Sequence, residues 1–540
     1  MQKRSFSVIA LAIAALVGLT ACDDDAFITE SPSDFVAPET FYRNSADAVA
    51  AVTSIYAAFI NGTGDNYYGR NFPMIVEYPT EMLTTRLGNT NERTAFDNYT
   101  WTPDHAYLLS TWSSAYQAIN RANAAIDRVP GIDMDTTLRK RLVGEAKFLR
   151  ALHYFNLVRL FEGVPLRVHE TKSLDSLQIA RSTAAEVYAQ IITDLEDAIV
   201  VLPPKAGYTA NDRGRATRGA ARTLLGKVYL QRGATGVGTS ADYASAETQL
   251  QAVRTSGEYT LAASHLVLFD VYGNTINEAN DEVIFDIQNT RAPGLGGRLS
   301  SHMSPTNTTP FLGGSTNGSF NAEYSTFVQA TPVIQPYAAT DLRRSQSFLL
   351  SWNKNGVAQT WSPTASNTTN QTNYASHTPF PRKYLDPLMT GTGVEEPNYI
   401  ILRYADVLLM LAEAINEQRG PTTEAVGYVN AVRARSQVAA LPTTLTQATF
   451  KDAIFQERRW ELVGEFHGHF DSQRHWEWAT ARIEANIALG RVTSPSQGNR
   501  YPKPLQLATP TDITMKYYYF PIPQAAIDRN PKIVQSELWQ

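Results

Sequence analysis

Apolar residues recur along most of this chain at three- and four-residue intervals, the spacing that lines one face of an α-helix. Over residues 138–161, Phe148, Leu152 and Phe155 share a stripe that Gly163 and Pro165 close. Thr183 and Glu186 have the spacing of a capping box, opening a helix with Val187, Ile191 and Leu195 on one side; Pro203 and Pro204 end it. Residues 219–231, with Leu224, Leu225 and Tyr229, precede a second amphipathic run at 243–253, with Ala246 and Leu250. The same succession returns at 403–418 (Val407, Leu411, Ile415), stopped by Gly420 and Pro421, and at 423–435 (Ala425, Val429, Val432). Residues 112–129 pair with 138–161 in the same way.

Each pair fits within about 34–40 residues, and Leu225-Gly226 with Tyr229 is similar to the tetratricopeptide signature. One such hairpin cannot bury its apolar face alone, so about four units are expected to stack, giving a mainly α fold. Two stretches break the pattern. Residues 60–111 and 290–395 are rich in Gly, Asn, Thr, Ser and Pro and read as helix-poor loops. Their length points to function, and their Phe, Tyr and Trp content argues against disorder.

The N-terminus has a different layout. Lys3 and Arg4 precede an apolar run from Phe6 to Leu19, too short to span a bilayer, and Leu19-Thr20-Ala21-Cys22 matches a bacterial lipobox. Residues 1–21 are read as a cleaved signal peptide, Cys22 as the lipidated first residue, 22–44 as a flexible tether and 45–540 as one domain. Cys22 is the only cysteine, so no internal disulfide can form. Removing Lys3 and Arg4 takes the net charge from −5 to −7, a balance that argues against nucleic acid as a partner.

Candidate binding chemistry concentrates in the loop-like stretches. Sugars present flat C–H faces that aromatic rings cover, and hydroxyl rims that Arg, Asn and Asp satisfy. Tyr67, Tyr68 and Arg70 sit in a polar turn, Arg86 and Asn89 in the next loop, and Trp101 just before a helix. Trp352 and Trp361 flank Asn353-Lys354-Asn355-Gly356, and Tyr374 follows. Catalytic patterns are missing from the sequence: no Gly-x-Ser-x-Gly elbow, no phosphate loop, no recognisable calcium loop, and no third ligand near His467-Gly-His469. Glu457, Arg459, Glu461, Asp471 and Arg474 are expected to form buried ion pairs that lock helices together, because buried charges need partners.

Six blocks in order resemble the SusD/RagB family of outer-membrane lipoproteins. They run from Glu145-Ala-Lys-Phe-Leu-Arg150 and Gly163-Val-Pro165, through Arg215 to Tyr229 and Asn277-Glu278, to Arg403-Tyr-Ala-Asp406, Glu457-Arg-Arg459-Trp-Glu461 and Tyr519-Phe520-Pro521. The acidic run Asp23-Asp24-Asp25 resembles a surface-export signal of such lipoproteins. The resemblance implies a right-handed superhelix of tetratricopeptide-like pairs with a loop-rich ligand-binding half. It implies a SusC-like TonB-dependent transporter as partner, oligosaccharide as cargo, no catalysis, no metal and no cofactor beyond the lipid on Cys22. A peptide-uptake lid of the RagB type and a helical scaffold without ligand are the rival readings; Trp101, Trp352 and Trp361 lean toward glycan.

Overall fold

A computed structural model describes most of residues 41–488 and 518–540. Outside the described residues lie 1–40, most of 489–517 and, within the chain, chiefly 61–65, 86–90, 270–279, 306–326, 330–336 and 361–379. Cys22, Asp23, Asp24, Asp25 and most of the tether are among them.

The periodic segments are helices, and they stack. After α1 (Ser45–Ala57) and α2 (Asn71–Glu77) comes a continuous array. It consists of α3 (Ala106–Arg128), α4 (Thr136–Phe161), α5 (Ala184–Val201), α6 (Arg218–Ala234) and α7 (Ala241–Thr255), each packed on the next. The chain then leaves the array and returns as α8 (Tyr404–Arg419), which docks on α7 and carries α9 (Thr423–Arg435) and α10 (Gln447–Glu461). A short α11 (Gly468–Arg474) packs against α2 and α6. The mainly α fold and the tetratricopeptide-like pairing are thus observed.

Local chemistry sets these boundaries. Both halves of the capping box form at α5: Thr183 accepts from the Glu186 amide, and Glu186 accepts from the Thr183 amide. The side chains of Asp135, Thr217, Thr422 and Thr446 likewise accept from first-turn amides of α4, α6, α9 and α10, and at α10 Thr449 completes a second box. Gly420 ends α8 with φ of 81°, a left-handed conformation that suits glycine. Gly226 lets α6 and α7 approach closely, since a Cβ there would lie 2.6 Å from Leu250 Cγ. Nearly all of α4 from Gly144 onward and α8 from Ala405 to Asn416 is buried, which makes these two helices the axis of the core. One apolar cluster runs from Ala48 to Ile533. No helix among the described residues is long and apolar enough to cross a membrane.

The reading of 60–111 as helix-poor is corrected. All seven residues of α2 are buried, and α3 already begins at Ala106. Asn71-Phe-Pro-Met-Ile-Val-Glu77 is too short to show a period and is apolar through its centre. Pro73 is tolerated because the first turn of a helix has no use for its N–H. The 290–395 region holds short paired strands. β1 (Val283–Ile287) pairs antiparallel with β4 (Tyr399–Arg403), while β2 (Ser351–Lys354) and β3 (Val357–Thr360) form a hairpin.

Where the excursion rejoins the array, a buried ionic hub ties the two together. Arg403, at the junction of β4 and α8, places Nη1 2.8 Å from Glu282 and 2.7 Å from Glu461, and Nε 2.6 Å from Glu465. Lys383 lies 2.5 Å from Glu465, and Arg435 bonds both Glu282 and Glu461. Arg343 joins Asp341, Glu457 and Glu461, and Arg433 closes on Glu457. Five cations thus meet five carboxylates. A second cluster links Lys227 and Arg458 to Asp406, Arg458 and Arg474 to Asp471, and Arg474 to Glu413. The expected roles of Glu457, Glu461, Asp471 and Arg474 are therefore seen. Arg459 is buried as well, but its neighbour Arg458 carries the pairing to Asp406 and Asp471.

Truncating one member of such a network leaves buried charge uncompensated. Arg403→Met is expected to cost about 3–5 kcal/mol in urea unfolding. Acid should loosen the same hub. Its cations hold Glu465 down to about 2 and Glu461 well below the ordinary carboxylate range, against burial that opposes the charge. An unfolded glutamate protonates near pH 4.5, so between there and about 2 the unfolded chain binds more protons. Stability from Glu465 is complete above that window and drains as pH falls through it. Unfolding titrations at descending pH should show this decline, with a shallower slope in Glu465→Gln.

Candidate functional site

Four of the aromatics predicted to face ligand are packed in the interior. Tyr67 adopts a left-handed φ of 51°, and its ring and that of Tyr68 lie in the core, 0 % and 3 % exposed. The Tyr67 hydroxyl lies 3.0 Å from His153 Nδ1, and Asn156 Nδ2 donates to both tyrosine hydroxyls at 2.9 and 2.7 Å. Tyr68 packs edge-on to Phe59 and Tyr399. Trp101 sits between Tyr99 and Phe520, ring centres 5.3 and 5.0 Å away, and stacks on Phe96. Trp352 meets Phe380 edge-on at 5.1 Å beneath the β2–β3 hairpin. These rings have no free face for a sugar, and the reading of them as platforms is corrected. Burying each is worth more in the core than exposure in a loop, since an aromatic side chain hides 150–250 Å².

Arg70 stays near the surface, half-buried, with its guanidinium 4.9 Å over the Tyr107 ring and Nε donating to Asn71 at 3.1 Å. Arg86, Asn89, Trp361 and Tyr374 lie outside the described residues. The histidines of His467-Gly-His469 are engaged elsewhere: His467 Nδ1 is 3.1 Å from Lys227 Nζ, and His469 Nε2 is 3.0 Å from the Tyr518 carbonyl. Burial pushes them down to about 3 and about 4, so both are neutral at ordinary pH.

One described concavity, about 420 Å³, was not anticipated. The segment before α6 forms one wall with Tyr208, Asp212 and Arg215, and β1 and β4 supply a floor that includes Phe285 and Ile400. Tyr259, Asn280 and Gln288 complete its polar character. Phe269 and Asn280 also line it, and residues 270–279 between them lie outside the described residues. No local motif could have announced a site assembled from segments so far apart in sequence.

Its polar groups are held in place. Tyr208 donates to the Ala216 carbonyl at 2.8 Å, and Tyr259 meets the Thr217 hydroxyl at 3.0 Å. Burial pushes the Tyr259 hydroxyl up to about 12, so it stays protonated. Arg215 is anchored to Glu145 at 2.8 Å and to Asp212 at 3.2 Å. Asp286 accepts from Gln288 and Asn398 at 2.7 and 2.9 Å. Asn280 Oδ1 accepts from the Glu282 amide at 2.7 Å, whereas its buried Nδ2 has no hydrogen-bond partner among the described residues. Rings and neutral donors beside compensated charges suit a neutral, hydroxyl-rich ligand.

A profile described as the SusD family matches residues 235–539, and one described as starch-binding associating with outer membrane matches 29–230. With more than half the chain matched by the first, the protein belongs to the SusD family. It is 28 % identical over 492 residues to SusD-like protein P2 of Formosa agariphila, covering 88 % of this chain and 91 % of the relative. Its fold matches the crystal structure of a SusD homologue from Bacteroides thetaiotaomicron with a TM-score of 0.76 at 23 % identity, covering 92 % and 98 % of the two chains. A laminarin-binding SusD-like protein aligns with a TM-score of 0.68 at 24 % identity, over 92 % of this chain and 100 % of that one.

The packing assignments have a direct readout. Trp101→Ala and Trp352→Ala should each destabilise the protein by about 3–5 kcal/mol, the cost of a large core truncation, measured by chemical unfolding.

Proposed function

We propose that this protein is a cell-surface lipoprotein that binds extracellular oligosaccharide and delivers it to a TonB-dependent outer-membrane transporter. The observation that carries the reading is family membership along nearly the whole chain, with an N-terminal half matched by a profile named for starch binding and outer-membrane association. The lipobox ending at Cys22 supplies the anchor, and the laminarin-binding relative shares the fold. The protein acts without catalysis, as a lid. Ligand held by lid and transporter together favours the closed state, and that difference in affinity shifts the equilibrium.

Within this reading the contacts fall to the remaining candidates. Trp361 and Tyr374 offer ring faces, and Arg70, Arg86 and Asn89 offer hydrogen bonds to hydroxyls. The cleft of Tyr208, Asn280 and Gln288 receives a short neutral glycan segment.

Calorimetric titration of the soluble chain beginning after Cys22, against oligosaccharides of plant, algal and microbial origin and a mixed peptide pool, tests it. Saturable binding to one glycan family is expected, weakened about tenfold by Trp361→Ala or Tyr374→Ala, as loss of one stacked ring implies. Binding confined to peptides would overturn the cargo and leave the lid.

A further inference from the structure

Arg159, in the last turn of α4, is a buried cation with no carboxylate at ion-pair distance among the described residues. Its guanidinium carbon lies 3.8 Å from the Phe155 ring centre and 3.5 Å from that of Phe470. Nε donates to the Phe155 carbonyl at 3.1 Å, and Nη2 donates to Asn156 Oδ1 at 2.7 Å. Nη1 makes no hydrogen bond among the described residues. Arg343, Arg403, Arg458 and Arg474 are equally buried, yet each has at least one carboxylate within 3 Å. Arg159 has none within ion-pair distance among the described residues.

The surroundings sharpen the imbalance. Arg474 and Lys227 both oppose the charge on Arg159. Those two are compensated, Lys227 by Asp406 and Arg474 by Glu413 and Asp471. Other neighbours that act on Arg159 are the phenols of Tyr67, Tyr68 and Tyr188 and the ring of His469, all neutral at ordinary pH. Aromatic faces offset part of a cation's desolvation, but they carry no countercharge.

Beside this group is a cavity of about 30 Å³ lined by Tyr68, Asn156, Arg159, Lys227, Glu465 and His467, among others; the Glu465 carboxylate is already taken by Lys383 and Arg403. Tyr68 accepts a bond from Asn156 at 2.7 Å, and its own hydroxyl hydrogen has no acceptor among the described residues. Two of the lining residues, Arg159 and Tyr68, thus each keep an unspent donor among the described residues, one of them charged. That volume exceeds the roughly 10–15 Å³ that one water-sized sphere needs, so a water molecule or a small ion fits. We propose that this cavity binds one small inorganic monoanion, of which chloride is the common representative, held by Arg159 and Tyr68. A water molecule could fill the space but would leave the charge uncompensated, because burying an unpaired cation is the costly alternative.

Bromide replaces chloride and scatters anomalously. Crystals of the soluble chain equilibrated in sodium bromide should show a peak in the cavity between Arg159 and Tyr68, and Arg159→Met should abolish it. In solution, melting in chloride is compared with melting in gluconate at equal ionic strength. The wild type should melt about 1–2 °C lower in gluconate, the size expected for loss of one weakly bound ligand from a chain of this length. Tyr68→Phe keeps the packed ring and should shrink that difference. An empty or water-filled cavity in bromide crystals overturns the proposal. So does a salt effect of equal size in wild type and Tyr68→Phe.

Discussion

Everything in this structure hangs on how Arg403 is held. The residue ends β4 and caps the start of α8, so its guanidinium stands where the irregular part of the chain turns back into the helical array. Glu282 reaches it from the strand before, and Glu461 and Glu465 from α10 and the turn that follows. Ion pairs this deep add little net stability over apolar packing, because desolvation consumes most of the attraction. What they supply here is geometry: a planar fork accepts its carboxylates in few arrangements, and each arrangement fixes a different segment.

That geometry extends to the cleft. The Glu282 amide donates to Asn280, one of the cleft's lining residues, and β1 begins at the next position. On the other wall Arg215 is tethered to Glu145, a buried residue of α4, which also accepts from the Tyr56 hydroxyl of α1. Both sides of the cleft are therefore referred back to the rigid axis of the array. Binding groups on such supports lose little freedom when a ligand arrives, which is the advantage of preorganisation.

Legibility in the sequence followed the physics of each element. Helices with one wet face showed their period, and capping residues such as Thr183 marked their starts. The helix Asn71–Glu77 did not, because a short element buried on every side has no polar face to alternate with. Aromatic residues in polar company were read as exposed, and four of them were wrong for a local reason. Tyr67 and Tyr68 stand just before an apolar run, which pulls them inward. Trp352 belongs to a hairpin whose signal, Asn355-Gly356 between two alternating strands, was present but taken for loop. The ionic hub was half visible: acidic and basic residues at 457–474 announced pairing, but their partners at 282, 343 and 383 are far away in sequence. Cleft residues gave no sign at all, since only the closed fold brings 205–217, 280–288 and 397–400 together.

The return of the chain at α8 also dictates an order of assembly. A ribosome completes α3 to α7 long before it makes α8, so the helical array is synthesised with one end uncovered. That end cannot close until Tyr404–Arg419 arrives and the distant charges of the hub find one another. Contacts of such long sequence separation form slowly, and an unfinished array presents apolar surface while it waits. The nascent protein is thus most exposed to aggregation when roughly three quarters of it has been made, and whatever escorts it to its compartment must be engaged by then.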